Sequence, residues 1–313
     1  MKKLIAMFLA FACLFCLAGC SAASGEEPTD PPARSTEATA ATEPTVPPET
    51  QPPETETTPV PEAIQPEPDG EDFVRVTAYI PDILVELRYA TDNNFTGQVI
   101  YEFSDLWLRY GTVKKLMLVQ EELKESGLCL KIWDGFRPPA AQFKLWEIYP
   151  DHTYVSNPNI GFSSHSRGNT VDLTLVDAEG RELTMPTGFD DFSKLADRDY
   201  SDCSFEAAEN ARLLEETMKK HGFKPYSGEW WHFSDTQSYP VEEVFEPTEA
   251  VWYYADCNEF ISLRTKPDTS ADRIVRIPVG GEFQVVGLHG DFALVFYQEL
   301  FGYVLRSYIQ PVG

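Results

Sequence analysis

The sequence is poor in cysteine and in positive charge, and each shortage excludes something. Six cysteines occur in 313 residues. Beyond Cys13, Cys16 and Cys20 near the start, only Cys129, Cys203 and Cys257 remain. An odd, sparse set excludes a disulfide scaffold, although one bridge of unassigned pairing is compatible with it. Lys and Arg number 25 against 50 Asp and Glu, a formal net charge of −25. No basic cluster is left to neutralise phosphates, which excludes nucleic acid as a partner and leaves the charge as a matter of solubility and self-repulsion.

Large apolar side chains are nearly missing from residues 21–70, which hold 12 of the 24 prolines and eleven acids against Arg34 alone. Such a segment cannot bury enough surface to offset its chain entropy, so a disordered, extended tether is expected. Ahead of it, MKKLIAMFLAFACLFCLAGC places Lys2 and Lys3 before an apolar run that ends in small residues. The run is too short to cross a bilayer comfortably and reads as a secretory signal over residues 1–20. Leu17-Ala18-Gly19-Cys20 resembles the bacterial lipobox, which implies lipidation at Cys20 and a chain anchored at the extracellular face of a bacterial membrane. An ordinary signal peptide cut nearby and an uncleaved anchor are the other readings.

About 240 residues follow the tether, enough for one medium and one small domain. Leu116, Val119 and Leu123 recur at helical spacing and predict a helix between Thr112 and Gly127, with the glycine as its stop. LCLKIW sets Leu128, Leu130 and Ile132 on one face of a strand that runs into a turn at Asp134-Gly135. A second helix fits Ser204 to His221, with Ala207, Ala211, Leu214 and Met218 on one stripe, Lys219 and Lys220 in the last turn and Gly222 after it. Helices and strands alternate without a regular βαβ repeat, which favours an α+β fold over residues 71–247. From about Thr248 the texture changes to short β-rich runs separated by Gly, Pro and Asp, the spacing of a small all-β barrel over residues 248–313. Within it, ISLRTKP and FGYVLRSYI resemble a bacterial SH3 domain of the sort appended to cell-wall enzymes, which implies wall or peptide binding; an unrelated small β domain is the alternative.

The chemistry concentrates in SSHSRGNTVDLTL, residues Ser163 to Leu175. Val171, Leu173 and Leu175 would face one side of a strand and Asp172 the other. A buried carboxylate needs a cation, a metal or water. His165, in a loop turned at Gly168, can fold back toward the same point. GEWWHF supplies Glu229 and His232, which share that point only where a bend, bulge or helical turn brings an i, i+3 pair together. His165, Asp172 and His232 then form a His-Asp-His set with a fourth position open, the geometry of catalytic zinc, and Glu229 is a spare carboxylate suited to a general base. His152, His221 and His289 are set aside as surface or hydrogen-bonded residues.

RYATDNNFTG, WDGFRP, SSHSRGNTVDLTL, the Phe189-Asp190 pair and EWWHF, in this order, resemble the VanX-type zinc D-alanyl-D-alanine dipeptidases and, with them, the hedgehog/D-Ala-D-Ala peptidase fold. The resemblance runs from about residue 72 to residue 240. It implies zinc (Zn2+) on His165, Asp172 and His232, Glu229 as the catalytic base, and Arg137 as stabiliser of the oxyanion. Asp190 would receive the substrate ammonium, with Ser163 and Tyr89 lining the substrate pocket. Pro186 stands where the family more often has glycine, in the loop that presents Asp190. For Arg137 a structural ion pair with Asp134 or another acid is the alternative, and Trp230 and Trp231 are assigned to packing and pocket walls.

The expected activity is hydrolysis of D-Ala-D-Ala by an anchored zinc metallopeptidase. Trimming of peptidoglycan stem peptides as a D,D-carboxypeptidase is the nearest alternative, and a non-catalytic, wall-binding zinc lipoprotein is the alternative of another class.

Overall fold

A computed structural model describes residues 64–313. The expected signal, Cys20 and most of the tether lie outside the described residues. Among these, β1 (Phe73–Arg75) pairs antiparallel with β3 (Trp107–Arg109). A five-stranded sheet is built from β2 (Leu84–Val85), β4 (Cys129–Asp134), β5 (Thr170–Val176), β6 (Phe223–Pro225) and β7 (His232–Asp235), in the order β2-β4-β5-β7-β6. Its β2–β4 pair is parallel and the others are antiparallel. Helices α1 (Tyr110–Glu125) and α3 (Phe205–Lys220) pack on β4 and β5.

Both predicted helices form for local reasons. In α1, Val113, Leu116, Val119 and Leu123 line the buried face, and the chain leaves it through Gly127 at φ +71°, a left-handed conformation that glycine adopts without strain. The Ser204 hydroxyl caps α3 by accepting the Ala207 N–H at 3.2 Å, while Ala211, Leu214 and Met218 face the core. Burying each such Leu or Met side chain contributes about 1.5–3 kcal/mol. Helix α2 (Pro139–Ile148) is not predicted by the sequence reading; Pro139 is tolerated because the first turn of a helix has no intrahelical partner for its missing N–H. All seven residues of β5 are buried: Val171, Leu173 and Leu175 pack under the helices, and Asp172 and Thr174 on the other face are covered as well.

The C-terminal strands are β8 (Phe245–Ala255), β9 (Phe260–Arg264), β10 (Arg273–Pro278), β11 (Glu282–His289), β12 (Phe292–Tyr297), β13 (Leu300–Leu305) and β14 (Ile309–Pro311). They form a seven-stranded sheet in the order β10-β9-β13-β12-β11-β8-β14. In place of the expected closed barrel the sheet is open: closure needs its terminal strands to hydrogen-bond, and among the described residues β10 pairs only with β9 while β14 pairs only with β8. Strand β8 runs unbroken through position 248. Phe245 at its start lies 5.0 Å from the Phe73 ring, which is 4.5 Å from Phe136, so one apolar core continues from the five-stranded sheet to Leu294 and Tyr303. A second, smaller core containing Leu263, Ile277, Val295 and Val304 lies within the C-terminal strands. The last residues of the expected tether touch this sheet: Gln65 Oε1 accepts the Phe301 N–H at 2.6 Å, and Lys266 Nζ lies 2.7 Å from Asp69 Oδ2. Cys129, Cys203 and Cys257 are free thiols.

Candidate metal centre

The histidine loop is stitched to the strand-end loop at Asp134. A 3-10 turn, Ser164–Arg167, starts at Ser163, whose hydroxyl accepts the His165 N–H at 3.4 Å. It ends on Gly168 at φ +72°, where a Cβ would lie 2.5 Å from the Phe73 ring, so only glycine fits. The Arg137 N–H donates to the His165 carbonyl at 3.3 Å, and His165 Nδ1 lies 2.8 Å from the Gly135 carbonyl. A carbonyl only accepts, so Nδ1 carries a proton, and Nε2 is the ring nitrogen left for a cation. Nε2 faces Asp172, 3.3 Å from Oδ2.

Register supplies the third group. Asp172 on β5 is directly opposite His232 on β7, and His232 Nδ1 lies 3.0 Å from Asp172 Oδ1. Donor atoms of His165, Asp172 and His232 all fall within 4.8 Å of one another. Asp172 Oδ1 is buried yet among the described residues has no hydrogen bond of acceptable geometry despite the nearby imidazole. An orphaned carboxylate oxygen beside two imidazole nitrogens is what donors aimed at a common cation leave behind, so these residues fit a divalent ion with N and O preferences.

The bend that Glu229 and His232 require is present. Residues 226–232 turn through the bonds Glu229 N–H to Tyr226 O and His232 N–H to Glu229 O, both 3.4 Å, before β7 begins. Glu229 Oε2 lies 3.5 Å from His232 Nδ1. Burial raises the Glu229 pKa, with the charge of Asp172 adding to it and that of His232 opposing it. Burial would also raise Asp172, but the charges of His165 and His232 beside it outweigh burial and hold this carboxyl well below the usual range.

The three side chains open into a cleft of about 290 Å³ that also reaches Tyr89, Arg137, Ser163, Asp190 and Glu229. Arg137 is buried; its Nε and Nη2 donate to Asp134 Oδ2 at 3.2 and 2.5 Å, and its Nη1 to Gln142 Oε1 at 3.1 Å. The ion pair with Asp134 therefore exists, and among the described residues two of the five guanidinium N–H groups have no acceptor, on a side chain that lines the cleft. Asp190 has φ +55°, and its Oδ2 accepts the Tyr89 hydroxyl at 2.8 Å. Burial, then the charge of Asp172, pushes the Asp190 carboxyl up to about 8. Trp230 and Trp231 are buried, Trp230 against Trp133 and Trp231 against Phe189.

All eight predicted site residues of the folded part line this one cleft. Sequence reading sets His152 aside, yet it also lines the cleft, on a segment that includes Tyr154 and Ser156. That segment, Phe192 and Tyr226 are not predicted; no periodicity or metal-ligand spacing marks them. His221 is hydrogen-bonded to Glu122 at 2.6 Å, away from the cleft.

The family described as D-ala-D-ala dipeptidase (Peptidase_M15) matches residues 69–249. A D-alanyl-D-alanine dipeptidase of Escherichia coli (strain K12) is 37% identical over 175 residues, 55% of this chain and 90% of that protein. One from Enterococcus faecium is 33% identical over 168 residues, 47% of this chain and 83% of that protein. Among solved structures, a vancomycin resistance D,D-pentapeptidase, VanY, in complex with Zn(II) aligns with a TM-score of 0.28 and 16% identity, covering 42% of this chain and 74% of that one.

Proposed function

Because the chain belongs to the D-Ala-D-Ala dipeptidase family, we propose that it hydrolyses D-alanyl-D-alanine to two D-alanines with zinc held by His165, Asp172 and His232. The observation that carries this reading is the convergence of two imidazoles and an orphaned carboxylate oxygen beside a carboxylate, Glu229, that the metal set does not use. When bound, zinc supplies Lewis acidity, lowering the pKa of water and polarising a carbonyl.

The chain's own groups do the rest. Glu229 takes the proton of the attacking water and returns it to the leaving amine, a role for which its burial-raised pKa suits it. The two free N–H groups of Arg137 face the negative charge that develops on the carbonyl oxygen; Asp134 and Gln142 fix the guanidinium beforehand, so little reorganisation is needed. Asp190, with the Tyr89 hydroxyl on its Oδ2, receives the substrate ammonium, and Ser163 lines the pocket.

An incoming ammonium opposes the burial and the Asp172 charge that raise the Asp190 carboxyl to about 8, and so restores its charged form. An N-acylated dipeptide cannot make that pair. Purified protein is therefore expected to cleave free D-Ala-D-Ala at least about 10²-fold more efficiently than its N-acetyl form, and Asp190→Asn is expected to erase most of that preference by raising KM for the free dipeptide. Comparable turnover of the acylated substrate by the wild type identifies a D,D-carboxypeptidase of peptidoglycan stem peptides instead.

On the same proposal, lipidation at Cys20 and the acidic tether would display the enzyme outside the membrane of a bacterium, and the C-terminal strands, SH3-like in sequence though their sheet is open, would hold it near the cell wall. A non-catalytic zinc lipoprotein has no use for Glu229 or for an arginine with spare donors in the cleft.

A further inference from the structure

Glu229 is poorly held by its own side chain: the His232 imidazole at 3.5 Å is its one ionic contact among the described residues. Its position must come from the backbone of residues 226–232, and both ends of that turn are met by one side chain from outside it. Arg198 follows the 3-10 turn Lys194–Ala196 and is largely buried. Its Nε donates to the Tyr226 carbonyl at 2.7 Å and its Nη2 to the His232 carbonyl at 3.0 Å, closing both ends of the turn with one planar fork. Its Nη1 is anchored to Glu215 Oε2 on α3 at 3.0 Å and to the Tyr200 hydroxyl at 3.2 Å, and its guanidinium carbon sits 4.5 Å over the Phe233 ring. Backbone bonds add to the grip: Trp230 N–H to Ala196 O at 2.9 Å and Arg198 N–H to Ser227 O at 3.3 Å.

We infer that Arg198 is a positioning residue that sets Glu229 and His232 at the metal centre by clamping the turn that carries both. The inference rests on the dipeptidase reading above for its catalytic half and on the donor cluster alone for its metal half. A lysine has one compact ammonium and cannot span two carbonyls in a fixed plane, so Lys does not replace Arg here. A displacement near 1 Å in a reacting group can cost on the order of 10²-fold in rate.

The test uses the full chain. Zinc affinity is measured by competition with a chelator, and kcat and KM for D-Ala-D-Ala at saturating zinc, for wild type, Arg198→Ala and Arg198→Lys. Arg198→Ala is expected to bind zinc about tenfold more weakly and to lose about 10²-fold in kcat with KM within about threefold, with methylguanidinium restoring part of the rate. If Arg198→Ala does not fold, Arg198→Lys carries the test, with a loss of about tenfold in kcat expected. Wild-type kcat and wild-type zinc affinity in a folded variant overturn the inference. An inactive wild type overturns the dipeptidase reading, and the zinc affinities alone then decide for or against Arg198.

Discussion

Glu229→Gln is expected to bind zinc as the wild type does while kcat on D-Ala-D-Ala falls by about 10²–10⁴-fold. The glutamine keeps the shape of the side chain and loses only the ability to take a proton. Nothing structural depends on that proton, because the one ionic contact of Glu229 among the described residues is to His232. KM should change little, since on the proposed reading other groups meet the substrate ammonium and carbonyl. Steady-state kinetics with zinc content measured on the same sample checks this, and a fully active Gln variant contradicts Glu229 as the base.

Asp172→Ala has the opposite signature: zinc content falls from about one per chain toward zero, and turnover falls to background. Asp172 is the buried acid that both imidazoles face, at 3.3 and 3.0 Å. Its removal takes away one of three protein donors and the negative charge that favours a divalent cation among buried groups. The fold itself should persist, because the neighbouring Val171 and Leu173 keep their packing under α1 and α3. Metal analysis together with far-UV circular dichroism separates loss of zinc from loss of structure. Stoichiometric zinc in the Ala variant would show that the ion binds elsewhere.

How much of this is legible in the sequence depends on whether the signal is local. Alternation around Asp172 isolates one acid among apolar residues, and in the structure it meets His165 and His232. Both long helices are readable because stripe and stop agree, at Gly127 and at Gly222, and α3 adds a cap at Ser204. The bend before His232 enters the sequence reading only as a requirement, since its formation depends on Arg198 reaching across from another segment. The cleft wall at His152–Ser156 is invisible for the same reason: it is held by the Gln142 side chain, whose Nε2 donates to the Ser156 carbonyl at 2.8 Å, and no pattern announces such a contact. In the C-terminal part strand texture is plain, but whether seven strands close depends on which edges meet, and β10 and β14 do not.

The most direct measurement is the rate of D-Ala-D-Ala cleavage by chelator-treated protein as Zn2+ is added back. Activity that is absent at the start and rises to a plateau at one zinc per chain is the predicted result. Undiminished cleavage after chelation, or a plateau that Asp172→Ala also reaches, would contradict a catalytic ion gripped by His165, Asp172 and His232.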